Sequence, residues 1–201
     1  MSGIKYSLRQ ESTSFSIGTT NLRSSNGSLI DTNGCVALLV LSGFAVATIN
    51  FEKRILRKGD FVLLFYDSTF SMLSISAAFS VRYVSFAYHL IEEAIYKPLS
   101  INFWNTIYSN PVFRPNERDF KLLVEWWYQI EWVNNIKDYD YQEEILKNNI
   151  RNLLVATDIE IMDHVGDSLR NSRDHAWMLV NRFFRLLSSY CRDTREVQLY
   201  A

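Results

Sequence analysis

The chain has 201 residues, of which 48% are apolar and 14% aromatic, and its formal net charge is −1. That apolar share excludes global disorder and provides for a sizeable core. A near-neutral chain lacks the basic excess that phosphate binding draws on, so these residues alone make a poor DNA binder.

Residues 1–12 are polar and without pattern, as expected of a flexible N-terminal arm, and residues 1–18 contain no apolar core of a signal peptide. From residue 13 to 88 no helical period is present. Short runs rich in β-branched and aromatic residues occur at 14–17, 28–30, 35–41, 44–49, 54–56, 61–66, 70–75 and 80–88. Turn signals separate them, among them Asn26-Gly27, Asn33-Gly34, Ser42-Gly43 and Lys58-Gly59-Asp60. About eight strands at this spacing predict a closed or sandwiched β unit, since closure removes exposed edges. The apolar run 35–49 is interrupted by Ser42 and Gly43 and falls short of the roughly 20 residues a membrane span needs. A soluble, cytoplasmic protein without membrane contact is expected. Cys35 and Cys191 lie far apart and read as small buried hydrophobes rather than a disulfide.

After residue 88 the period changes. Short helices are expected at 90–96, ended by Pro98, and at 101–108, ended by Asn110-Pro111. Asn116 reads as the N-cap of a helix striped by Phe120, Leu123, Val124, Trp127, Ile130 and Val133. Asp140 and Glu143 resemble a capping box that opens a longer helix ending near Gly166. Ser172 would cap a further helix striped by Ala176, Leu179, Val180, Phe183, Leu187 and Tyr190. Thr194 then caps a last turn in which Val197, Tyr200 and Ala201 begin an apolar face. One turn cannot repay its own nucleation, so it either docks back on the body or has its partner beyond residue 201.

Two phrases carry a family resemblance. Residues 183–201, FFRLLSSYCRDTREVQLYA, resemble the junction of AraC-type transcriptional regulators, where a cupin-like sensor domain ends in helices and the helix-turn-helix begins. Residues 49–70, INFEKRILRKGDFVLLFYDSTF, resemble a cupin hairpin. The resemblance implies an α+β fold: a cupin-like (double-stranded β-helix) barrel at 13–89, a helical dimerisation and linker region at 90–193, and the start of a helix-turn-helix domain at 194–201. It implies effector sensing and homodimerisation, with a sugar or other polar metabolite among the candidate effectors. Promoter DNA would be bound by a domain past residue 201, and no cofactor is required.

The alternatives are a cupin isomerase or dioxygenase and a ligand-free dimerisation module. Metal-binding cupins need converging histidines, and residues 13–88 contain none: the three histidines are His89, His164 and His175. Glu160, Asp163, His164 and Asp167 share helical faces, yet such runs are usually solvated. Neither a metal site nor a catalytic residue is therefore expected. Bulky Phe44, Phe61, Phe65 and Tyr83 are candidates to line or fill the barrel. Arg82 alternates with Val84, Phe86 and Tyr88 on one strand face. Facing inward it would clamp an anionic or polyol effector; facing outward, the favoured placement, it packs its stem against the helices. Adjacent Trp126 and Trp127 cannot share one helix side, so one of them together with Trp132, and with Phe183 and Leu187, is expected at a dimer interface, unless the barrel covers these tryptophans and they belong to the core.

Overall fold

The computed structural model describes residues 6–25 and 27–169. The expected helix at 172–190, with Phe183 and Leu187, and the junction at 194–201 lie outside the described residues. The first part runs β1 (Phe15–Thr20), β2 (Cys35–Ser42), β3 (Phe44–Ile49), β4 (Glu52–Arg57), β5 (Phe61–Phe65), β6 (Phe70–Ile75) and β7 (Ser80–Phe86). Then follow α1 (Tyr88–Ala94), α2 (Ile101–Ser109), β8 (Val112–Phe113), α3 (Glu117–Val133) and α4 (Tyr139–Leu169).

The strands form two separate antiparallel sheets, in the orders β1-β7-β2-β5-β8 and β4-β3-β6; the spacing predicts a closed or sandwiched unit, and the closed barrel that the resemblance implies is not formed. The small sheet and the helices cover opposite faces of the large one. Its central strands are therefore buried on both sides, which explains why CVALLVLS and FVLLF read as apolar runs without alternation. In β2, Cys35, Ala37 and Leu39 join the helix-side core, while Val36, Leu38 and Val40 join the core between the sheets. In β5, Phe61, Leu63 and Phe65 face the helices, and Val62 and Leu64 face the small sheet. Burial also pushes the Cys35 thiol far above its usual range, so it stays a neutral hydrophobe.

Three local expectations change. The chain from Tyr6 is tied down: the Tyr6 N–H donates to the Leu29 carbonyl at 2.8 Å, and Leu8 is buried in the inter-sheet core. The run at 28–30 makes only isolated bridges, Tyr6 with Ile30 and Leu29 with Ser71, and the Ile30 N–H donates to the Phe70 carbonyl at 2.7 Å. Asp138, not Asp140, opens α4: its Oδ1 accepts from the N–H groups of Asp140 and Tyr141 at 3.1 and 3.3 Å. Asn116 does cap α3, with Oδ1 accepting from the Asp119 N–H at 3.0 Å.

Two turns show what the backbone demands. At Gly34, φ is +101° and an added Cβ would stand 2.0 Å from the Phe86 carbonyl oxygen, so β2 can begin beside the end of β7 only with glycine. The β3–β4 hairpin turns on Asn50 and Phe51 at φ 49° and 66°, and Phe51 is 81% exposed. Asn50 holds this turn by donating from Nδ2 to the Tyr108 carbonyl at 2.7 Å and accepting from the Thr69 N–H at 3.0 Å.

The helices share one core with the large sheet, and β8 returns from between α2 and α3 to pair with β5. Between α1 and α4, Lys147 Nζ lies 2.7 Å from Glu93 Oε2. Its hydrogen bond holds Glu93 below the usual carboxylate range and in turn raises Lys147. Glu93 contributes above its unfolded pKa, and that contribution fades as pH falls through its lowered folded value; exposure and salt leave it small.

A core defined by two-sided burial makes a direct expectation. Leu38→Ala, fully buried between the sheets, should cost about 2–5 kcal/mol in urea unfolding. Leu73→Ala, on the outer face of the small sheet, should cost about 0.5 kcal/mol or less.

Candidate effector cavity

A cavity of about 1150 Å³ opens where the two sheets fail to close. The edge strand β4 and the loop after β8 form one wall; α3 and residues 152–161 of α4 form the other, with the end of α2 between them. Ile55, Phe61, Phe113, Leu123, Trp126 and Leu153 supply its apolar lining. Cations gather on the strand side, as Lys53, Arg54, Arg57 and Arg114, and acids on the helix side, as Asp119, Glu125 and Glu160.

The local sequence explains each contribution. Alternation along β4 turns Leu56 into the core and leaves Lys53, Ile55 and Arg57 exposed. In α3 the apolar stripe is wide: Trp127 is fully buried and meets the Phe61 ring edge-on at 6.4 Å, on the sheet side. Trp126 turns toward α4, where its Nε1–H donates to the Asn149 carbonyl at 3.0 Å, and its ring lines the cavity. The Trp127 Nε1–H is buried without an acceptor among the described residues.

Most of the residues expected to line a barrel are not brought together. Phe44 is 56% exposed on β3, because alternation turns Ala45 and Ala47 inward instead. Phe61 and Phe65 are buried on the helix side of the large sheet, not between the sheets, and of the two only Phe61 reaches the cavity. Phe65 packs edge-on against Phe103 and Trp104. Tyr83 does face the space between the sheets, half-buried against that core, and its hydroxyl lies 3.4 Å from Ser16 Oγ. Arg82 is on the helix side: its guanidinium stacks over the Tyr128 ring at 5.2 Å and lies 3.9 Å from Glu131. The interior between the sheets is filled by side chains such as Leu38, Ile49, Leu64 and Phe70.

Neither Trp126 nor Trp127 is the exposed member of the tryptophan set. Both Trp126 and Trp127 belong to the helix-side core, where they meet the rings of Phe86 and Phe61 of the large sheet, each at 6.4 Å. Trp132 stands apart, 61% exposed. Among the described residues no group of three His, Cys, Asp or Glu side chains is placed to hold a metal ion. No helix among them is long and apolar enough to cross a membrane.

The cavity was not legible as a unit, because its walls come from the 50s, 110s, 120s and 150s of the chain. The one local signal was Arg57-Lys58-Gly59-Asp60, a basic strand end running into a buried acid.

No family model matches the chain, and no curated protein matches it. Among solved structures it is similar to apo ToxT of Vibrio cholerae, with 16% identity, 95% of this chain and 70% of ToxT covered, and a TM-score of 0.49. It is also similar to ToxT bound to an unsaturated fatty acid, at 15% identity over 96% of this chain and 87% of that one, with a TM-score of 0.41. For vicilin of tomato, Solanum lycopersicum, the identity is 13% over 56% and 41% of the two chains, with a TM-score of 0.27. ToxT is an AraC-family regulator, the family that the sequence resembles. Likenesses of this size carry no argument about function, which rests on the residues themselves.

Arg82 offers a test of the side-chain placement. Arg82→Ala removes a part-exposed stack and a weak ion pair, so it should cost at most about 1 kcal/mol and leave occupancy of the cavity unchanged. Loss of small-molecule binding in this variant, measured by calorimetry, would return Arg82 to the ligand site.

Proposed function

We propose that the chain is the effector-sensing and dimerisation module of an AraC-type transcriptional regulator, with cupin-like sheets followed by a helical region. The observation that carries this reading is the cavity itself. It is walled by both the strands and the helices, so an occupant touches two parts of the fold at once. A molecule that binds one arrangement of those walls better than another shifts the population toward it, which is what a sensor needs. The mostly apolar lining suits an effector with an apolar body and a few polar groups better than a bare sugar. In this reading the module is non-catalytic and works in the cytoplasm, and promoter DNA is contacted by a separate helix-turn-helix domain.

The dimer half of the proposal rests on α3. Trp132 and Tyr128 are 61% and 50% exposed on it, an aromatic surface that a second copy would bury. A two-fold pair would suit a regulator that reads two half-sites.

Two experiments test these halves separately. Ala156 is exposed on α4 and lines the cavity, so Ala156→Trp should fold with a near-wild-type melting temperature while losing the thermal shifts that small amphiphiles give the wild type. Unchanged shifts would remove the cavity from the function. Trp132→Glu should sediment as a folded monomer; a wild-type chain that is already monomeric at high micromolar concentration would end the dimer proposal.

A further inference from the structure

The rim of the cavity holds one cation whose position is set from beneath. Arg114 lines the cavity and is 66% exposed, while the Asp60 side chain it touches is 3% exposed; Arg114 Nε lies 3.2 Å from Asp60 Oδ1. Asp60 is itself fixed. Its Oδ2 accepts from the Arg57 N–H at 2.8 Å, its N–H donates to the Arg57 carbonyl at 2.9 Å, and its carbonyl accepts from the Val40 N–H at 2.9 Å. The acid enters β5, and the arginine stands one residue past β8, the strand that pairs with β5.

A guanidinium has five N–H donors in a rigid plane. Among the described residues only Nε is engaged, which leaves the two terminal nitrogens, a fork that matches the two oxygens of a planar anion. The other lining cations are placed differently. Arg54 is taken up by Glu52 and by the Ser109 carbonyl. Lys53 is a point charge, and Arg57 has no side-chain partner among the described residues to orient it. Of the lining acids, Asp119 is occupied by Asn116, and Glu125 and Glu160 stand on the helical wall, on α3 and α4.

We infer that Arg114, aimed by Asp60, is the residue that reads the effector's charge, and that the effector carries a carboxylate or similar planar anion on an apolar body. This rests on the cavity being the effector site. Asp60 is a positioning residue: it holds the fork in place and touches no ligand.

The test compares two probes of one shape, 6-phenylhexanoate and the neutral 6-phenylhexanamide, titrated calorimetrically into the whole chain at fixed salt. The wild type should prefer the acid by about tenfold. Arg114→Gln should bring acid and amide to within about twofold of each other, and Arg114→Lys should keep only part of the preference. Asp60→Asn should lower the preference even though the arginine remains, and Arg118→Gln, outside the cavity, should keep it. The acid-to-amide ratio is a readout that mere loss of stability does not move. If Asp60→Asn does not fold, the two Arg114 variants decide. Equal binding of both probes by the wild type, or an undiminished preference in Arg114→Gln, overturns the assignment and leaves the cavity as the effector site. Binding of neither probe overturns both.

Discussion

Everything in this fold depends on one sheet being buried on both faces. β2 and β5 have side chains in both cores, so the small sheet and the helices are each held in place by the same strands. Neither face can slip its register without exposing a row of large apolar groups to water. The helices cannot therefore be treated as an appendage of the strands, and β8 shows this in the backbone, since it leaves the helical stretch to rejoin the sheet.

The cavity follows from that arrangement. The large sheet spends its two faces on packing, and the small sheet is only three strands wide. The sandwich is thus left open along β4, and α3 and α4 reach across the gap without filling it. What lines the opening is set by alternation along β4 and by the breadth of the apolar stripe on α3. The same geometry explains why the interior between the sheets, where a barrel ligand would sit, is packed solid, while space remains at the junction of strands and helices.

Much of the element plan was legible because local chemistry and tertiary context agree. The runs at 44–49 and 70–75 and the Asn116 cap are read from alternation and capping preference, and the structure has them there. Other features were hidden for physical reasons. Apolar runs buried on two faces carry no alternation, so Phe61 and Phe65 gave no sign of which face they take. Asn50-Phe51 lacks the glycine that marks a tight hairpin, and only the Asn50 side-chain bonds show how a phenylalanine is held at positive φ. Trp126 and Trp127 were separated by helical spacing alone, which takes no account of a helix buried by neighbours on two sides. The cavity needed four distant segments and had no sequence signature of its own.

The most direct test of this account is the position of a bound molecule. A crystal structure with an apolar-bodied ligand should place it between β4, the loop after β8, α3 and α4, against Trp126 and beside Arg114. A ligand found between the two sheets, with Tyr83 turned aside and the core around Leu38 and Phe70 opened, would contradict it.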